Sequence, residues 1–382
     1  MRVARFGLLA LLTLVAFSLL PPFAQGNPCP ASQIVVNNHL LENSQSIPDI
    51  HWSTGYALSS PLRLTANYSY AIDASGTSFQ ISIHTVQSFA YCNVSNTMIF
   101  VKPEIPFTNS TSADDLGNDV LTIKFQSMSY LGKFYLTVLQ HVTTYSIKYS
   151  IDPANIGGYD KASQLYMLYT GAARYVESDH PEMVNASKTI VGNETNPYVM
   201  AKRIFDCLVE NVRRDWSLAT YNPETEGALF TLRTGRGVCR HFSALFVALA
   251  RAAGIPAAMI WGSWNYGLVD KHDWAHFYLP NYGWIPVETT FGDSKQNAAQ
   301  WFAQLPDNIH IPVMSVNYGY RRAWWSGGTV QSLVPKEEPF LSAGFEIPEL
   351  SNPHTILLIT VAICLLVAKK RLGRHLQVQK SV

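Results

Sequence analysis

Charge is scarce in this chain and neither sign prevails: only 14% of its 382 residues are charged, 28 basic against 27 acidic. With no basic surplus and no Lys/Arg stripe through the central region, the electrostatic footprint of nucleic-acid binding is missing, and no nucleic-acid partner is expected. Internal repeats and low-complexity tracts are also absent, so neither a solenoid nor a solvated linker protein is indicated. Cysteine is rare enough, at five residues, for each to be placed individually. What is abundant is apolar and aromatic side chain, 47% and 12% of the chain, sufficient for two ordinary domains with buried cores.

Both ends read as targeting segments. Arg2 and Arg5 precede the apolar run Phe6 to Leu20, and Ala24-Gln25-Gly26 supplies small residues for cleavage, so residues 1–26 are expected to be a signal peptide. Near the other end, His354 to Ala368 is apolar and is followed at once by Lys369, Lys370, Arg371 and Arg374. This predicts a membrane anchor over 351–370 with a basic cytoplasmic tail over 371–382, leaving the bulk of the chain outside a cell membrane crossed once. Sequons at Asn67, Asn93, Asn109, Asn185 and Asn193 all fall in the exported part and allow N-glycans there. The FEIPEL stretch before the anchor resembles the C-terminal sorting segments of archaeal surface proteins. Cys364 lies in the anchor, while Cys29 and Cys92 share the exported N-terminal region and are candidates for a disulfide.

Between these ends the hydrophobic period changes once. Over 27–160 it is two, as in Phe79-Ile81-Ile83 and Tyr145-Ile147-Tyr149, which predicts an all-β module, a sandwich or a curled sheet. Asp114, Asp115 and Asp119 in this module fit no calcium-loop spacing and read as a solvated loop. From Lys161 the pattern turns helical, with helices expected over 161–177 and 197–214, the second opening on Asn196 as N-cap and Pro197. Cys207 falls on the apolar side of that second helix, where a buried structural thiol is expected. A further helix, an apolar segment over 257–261 and a hairpin of 272–279 with 284–289 complete an α+β domain spanning 161–302. Residues 303–350, aromatic and punctuated by Pro and Gly, are expected to be an extension packed on that domain.

The chemistry concentrates in GRGVCRHFSALFVALARAAGIP. Phe242, Leu245, Phe246 and Leu249 recur at helical spacing, Gly254 and Pro256 stop the helix, and Cys239 therefore sits in its first turn. Unpaired N–H groups and the positive end of the helix dipole favour a thiolate there, and the Cys239 N–H can serve as an oxyanion donor. Arg240 and His241 either add positive charge beside it or face solvent. A thiolate needs an imidazole to share its proton and a group to orient that imidazole. His272 and Glu288, on successive strands of the hairpin, are the candidates. They share a face only if a three-residue loop, Pro280 to Tyr282, sets Leu279 opposite Gly283; a two-residue loop would separate them.

The segment from about Leu165 to Phe302 resembles the transglutaminase-like superfamily, which has a papain-like cysteine fold. The resemblance rests on GRGVCRHFSALFVALARAAGIP, on HDWAHFYLPNYGWIPVETT and on NPYVMAKRIFDCLVENV upstream. It implies Cys239 as nucleophile, His272 as general base and Glu288 as the orienting carboxylate, with Trp274 and Trp284 bracing the hairpin. Trp261, Trp274 and His276 become candidates for the substrate cleft. The family usually carries Asp at the position of Glu288 and commonly an acidic residue at that of His276. The implied activity is thioacyl chemistry on a protein or peptide substrate, and the resemblance leaves open whether water or an amine completes it. Hydrolysis is expected before crosslinking because nothing in the sequence marks a second amine-binding pocket, and the chemistry calls for no cofactor and no metal.

Two other readings compete. HDWAH places His272 and His276 with an acid between them, as a zinc hydrolase would, with Asp273 as base. That arrangement works on a helix, whereas the β-rich sequence after it, broken by Pro280 and Gly283, argues for a strand. Alternatively the fold is a catalytically silent surface binding module and Cys239 an inert thiol.

Overall fold

The computed structural model describes residues 34–36, 52–75, 78–126, 132–264, 271–291, 297–316, 323–327 and 329–343. The signal segment, Cys29 and the anchor at 351–370 lie outside the described residues. Among the described residues, no helix is long and apolar enough to cross a membrane.

The period-two region forms two antiparallel sheets. The first contains β1 (Ile34–Val36), β2 (Tyr56–Ser75), β4 (Cys92–Lys102) and β7 (Gly132–Tyr149); the second contains β3 (Ser78–His84), β5 (Phe107–Ala113) and β6 (Asp119–Gln126). Their inner faces meet through Phe79, Phe125 and Phe134, with Phe79 stacked on Phe125 at 4.9 Å and Phe125 edge-on to Phe134 at 5.2 Å. This is the sandwich geometry that alternation allows. Asp114 does not float in solvent: it accepts from the Leu116 and Asn118 amides and from the Asn118 side chain, and pairs with His84 at 3.0 Å.

The helical region departs from expectation at its boundaries. The first helix, α1, is only Gln164–Thr170: Ser163 Oγ caps it and Gly171 ends it by donating to Met167 O. A second, α2 (Pro181–Val191), was not legible from the pattern. The third, α3 (Pro197–Asn211), opens on Asn196, whose side chain accepts from the Tyr198 and Val199 amides. It stops at Val212 because the chain turns into β8 (Arg213–Arg214), paired in parallel with β9 (Arg236–Gly237). Cys207 on α3 is only partly buried, its Sγ taking a 3.5 Å contact from Asn211 Nδ2, so the expected core thiol lies at the margin. Between β8 and β9 runs α4 (Ala228–Thr234).

The helix with Cys239 at its first position, α5 (Cys239–Ala252), is buried from His241 to Arg251. The pattern indicated a single apolar face, but the other helices cover one side of α5 and a sheet covers the other, so small residues such as Ala244 and Ala248 are buried too. That sheet has the order β12-β11-β10-β14, from β10 (Ala257–Trp264), β11 (Lys271–Leu279), β12 (Gly283–Val287) and β14 (His310–Val316). The β11–β12 turn is the three-residue one, with Leu279 opposite Gly283 and Ala275 opposite Val287. Gly283 is required there: its φ is +82° and an added Cβ would lie 2.2 Å from Trp52 O.

The division at residue 302 does not hold. Strand β14 completes the sheet that carries the hairpin. The strands β13 (Gln304–Leu305), β15 (Ala323–Ser326) and β16 (Thr329–Ala343) join β7, β3 and β2 of the N-terminal sheets. Backbone partners for the strands after 302 are thus drawn from both regions, and the described residues through Ser342 form one compact unit. The junction is sealed at Tyr91, whose hydroxyl accepts from Trp274 Nε1 and pairs with His276 Nε2, both at 3.0 Å. Replacing Tyr91 by Phe strands two fully buried polar groups, so Tyr91→Phe is expected to cost about 1–3 kcal/mol, read as a lower urea midpoint at unchanged slope.

Candidate active site

Cys239 begins α5 with its thiol partly exposed, while the turn behind it is fixed from within. His241 is not a surface residue: it is fully buried, with Nδ1 accepting from the Val238 amide at 3.2 Å and Nε2 donating to Thr225 O at 2.9 Å. Burial lowers its pKa, so it caps the helix as a neutral ring. Arg240 is tied to Glu226 by two hydrogen bonds of 2.8 and 2.6 Å and to the carbonyls of Leu218 and Ala219. Its charge is therefore matched locally, and it pins the loop bearing the exposed Trp216 and Tyr221 to the start of α5.

The hairpin register brings His272 and Glu288 together. His272 Nε2 donates to Glu288 Oε2 at 2.7 Å, and Cys239 lies close enough to influence the His272 ring electrostatically. Since Nε2 is committed to Glu288, Nδ1 is the ring nitrogen left to exchange a proton with a thiol. The imidazole lies flat on Phe291, with ring centres 5.3 Å apart and planes 9° from parallel. Burial disfavours its charged form, but the Glu288 carboxylate, its hydrogen bond to the ring and the neighbouring Cys239 sulfur outweigh that and raise the His272 pKa well above its usual value.

Glu288 is wholly buried and all its acceptor capacity is used. Oε1 accepts from the Thr290 and Phe291 amides at 2.8 and 3.3 Å, and Oε2 is shared between His272 and His310, the latter at 3.0 Å. Burial alone would raise its pKa; the two imidazoles reverse this and hold it well below the ordinary carboxylate range. His310 in turn binds Asp307 Oδ1 through Nδ1 at 2.6 Å. With a carboxylate on each nitrogen both ring positions must donate, so His310 is an imidazolium, in keeping with its raised pKa. The extra methylene of Glu over Asp thus lets one carboxylate reach two histidines and two amides.

His310 and Asp307 were missed from sequence because they lie past the boundary placed at 302; the only local signal is the Asp-x-x-His spacing at the head of an apolar strand. The cleft candidates are also redistributed. His276, Trp274 and Trp261 are all buried, at 1%, 0% and 3% exposure, and line no open cleft. Residues 272, 274 and 276 share a strand face, and the N-terminal region covers it: Phe89 packs edge-on to His276 at 5.0 Å, and burial drives the His276 pKa down to about 3. Trp274 stands edge-on to His310 at 5.1 Å and supports the network from beneath, while Trp261 lies opposite Asp273 in the β10–β11 pair.

The zinc ligand set fails on geometry. His272 and His276 are four residues apart on strand β11, roughly 13 Å along it. Ligand atoms of His272, Glu288 and His310 do lie within 4.8 Å of one another, a separation that their direct hydrogen bonds account for. Cys92 is a free buried thiol, and its expected partner Cys29 is outside the described residues.

A thiol at the start of α5 and an imidazole and a carboxylate on an antiparallel hairpin are placed as the groups of a papain-like cysteine site would be. Residues 184–289 match the transglutaminase-like superfamily, and the chain carries a transglutaminase-like domain there, in an α+β fold with substantial β content. A Haemophilus influenzae protein of uncharacterised function is 33% identical over 124 residues, covering 26% of this chain and 33% of that one. A protein-glutamine gamma-glutamyltransferase of Pseudomonas aeruginosa is 31% identical over 86 residues, covering 20% of this chain and 13% of that one. The chain thus spans a third or less of the curated relatives it matches. Among solved structures, an inferred cysteine protease from Cytophaga hutchinsonii is 17% identical with a TM-score of 0.48, covering 75% of this chain and 92% of that one. The periplasmic domain of TgpA from Pseudomonas aeruginosa is 13% identical with a TM-score of 0.32, covering 61% and 91%.

The low pKa of Glu288 has a consequence for stability. A carboxylate whose folded pKa lies below its unfolded value of about 4.3 adds stability above that pH and loses it as pH falls toward the folded value. Glu288→Gln removes this contribution, so between about pH 5 and pH 2 the wild-type urea midpoint should fall more steeply than that of the variant. Parallel curves would mean that Glu288 is not ionised in the fold.

Proposed function

We propose that this chain is a cysteine enzyme that attacks an amide or peptide carbonyl and forms a thioacyl intermediate. The observation that carries this reading is the convergence of Cys239, His272 and Glu288 at the start of α5. His272 Nδ1 takes the thiol proton and returns it to the leaving amine. Glu288 fixes the ring with Nε2–H directed at itself and balances the imidazolium, and His310, held by Asp307, keeps Glu288 ionised and in place. The Cys239 N–H, at the first position of α5 where no intrahelical acceptor exists, is available to the developing oxyanion.

Hydrolysis, as by a peptidase, is favoured over crosslinking, and the substrate is a protein or peptide. The exposed Trp216 and Tyr221 flank the Leu218 and Ala219 carbonyls that bind Arg240 at the start of α5, and offer a peptide an apolar surface on that loop. The signal-like start and the apolar, basic-flanked end of the sequence support action outside the cell from a membrane-anchored position.

Peptide substrates incubated with the purified exported portion should show mass changes that require Cys239. Cys239→Ala should reduce turnover to background, and Glu288→Gln should lower kcat/KM by about 10²- to 10⁴-fold, since the amide cannot balance an imidazolium. Turnover that survives Cys239→Ala sinks the proposal.

A further inference from the structure

Asp273, next to His272 in β11, is a carboxylate that the triad does not use. It is 7% exposed, and among the described residues its hydrogen-bond partner is the Cys239 thiol, Sγ to Oδ2 at 3.7 Å. Alternation along β11 sends His272 and Asp273 to opposite faces; the thiol hydrogen-bonds Asp273 and lies close enough to influence His272. The cations that act on Asp273 are hydrogen-bonded elsewhere: His272 to Glu288, and Arg240 to Glu226 and to the Leu218 and Ala219 carbonyls. Burial is the largest influence on Asp273 and pushes its pKa up to about 6, so it is ionised at and above neutral pH.

A buried carboxylate that touches a nucleophilic sulfur and shares its nearby cations with other carboxylates is only partly balanced. It accepts a hydrogen bond from a thiol but repels a thiolate, so it works against the charge state that His272 and the helix start favour. A cation placed against Asp273 would remove that conflict: the thiol proton would pass to His272 and the thiolate would face a neutralised neighbour. Cys239 is only half-buried, so a small group can reach it, and the reaction itself involves amines.

We propose that Asp273 forms a recognition site for a primary ammonium group presented beside the reacting carbonyl. The inference rests on the thioacyl reading above and adds to it a substrate class. The ammonium belongs either to a free peptide N-terminus on the acyl donor or to an amine that takes water's place as acceptor. The chemistry is the same: charge pairing in a confined, poorly solvated site, with ammonium N–H groups donating to a carboxylate.

The test reads charge preference at the thiol without turnover. Cys239 is labelled at pH 7.5 with aminoethyl methanethiosulfonate, which is cationic, and with sulfonatoethyl methanethiosulfonate, which is anionic; each forms a mixed disulfide and releases methanesulfinate. Rates are followed by peptide mass mapping and normalised to a small free thiol. The wild type should prefer the cationic reagent on the order of tenfold more than Asp273→Asn does, with Asp273→Ser as a second variant should the first fold poorly. Equal preference in wild type and variant overturns the ammonium site while leaving the nucleophile intact; failure of Cys239 to react with either reagent overturns both readings. Two further arms separate the sources. If the ammonium is on the donor, N-acetylation of a peptide should lower wild-type kcat/KM but not that of Asp273→Asn. If it is the acceptor, incorporation of a diamine in place of water should fall in Asp273→Asn.

Discussion

The site depends on one carboxylate kept ionised inside the protein. Glu288 has no solvent contact, and an isolated charge there would be neutralised by protonation rather than tolerated. Two imidazoles and two backbone amides prevent this, and they come from separate parts of the chain: His272 from β11, the amides of Thr290 and Phe291 just after β12, and His310 from the head of β14. Asp307 then balances His310. The result is an alternation of charge from Asp307 through His310 and Glu288 to His272, in which each member is stabilised by its neighbours and would be costly without them.

This explains how a Glu occupies a place where the resembled family usually has Asp. An Asp could meet one imidazole, but the longer side chain reaches both while its other oxygen stays on the amides. Trp274 and the Tyr91 hydroxyl lie beneath the network, which ties the N-terminal sheets to the sheet carrying the site. That packing encloses the strand face of residues 272, 274 and 276, while Cys239 at the start of α5 stays half-buried.

Much of the core was legible because it depends on local rules. The apolar spacing and stop signals of α5, the Asn196-Pro197 start of α3 and the loop length of the hairpin each constrain only neighbouring residues, and the structure keeps all three. The less legible features were those set by what packs outside an element. Helix α1 is cut short at Gly171, His241 is drawn inward by Thr225, and His276 is enclosed by Tyr91 and Phe89. No periodicity in one segment reports which other segment will cover it.

The sequence by itself determined the nucleophile's place at a helix start and the hairpin that carries an imidazole and a carboxylate, since helical spacing and strand alternation are properties of consecutive residues. Only the tertiary structure decided that residues beyond 302 return to complete both the N-terminal sheets and the central sheet, and so deliver His310 and Asp307 to Glu288. It alone also set Asp273 against the Cys239 thiol. The physical reason is the same in each case: a buried charge is defined by its surroundings, and those surroundings are assembled from residues far apart in the chain.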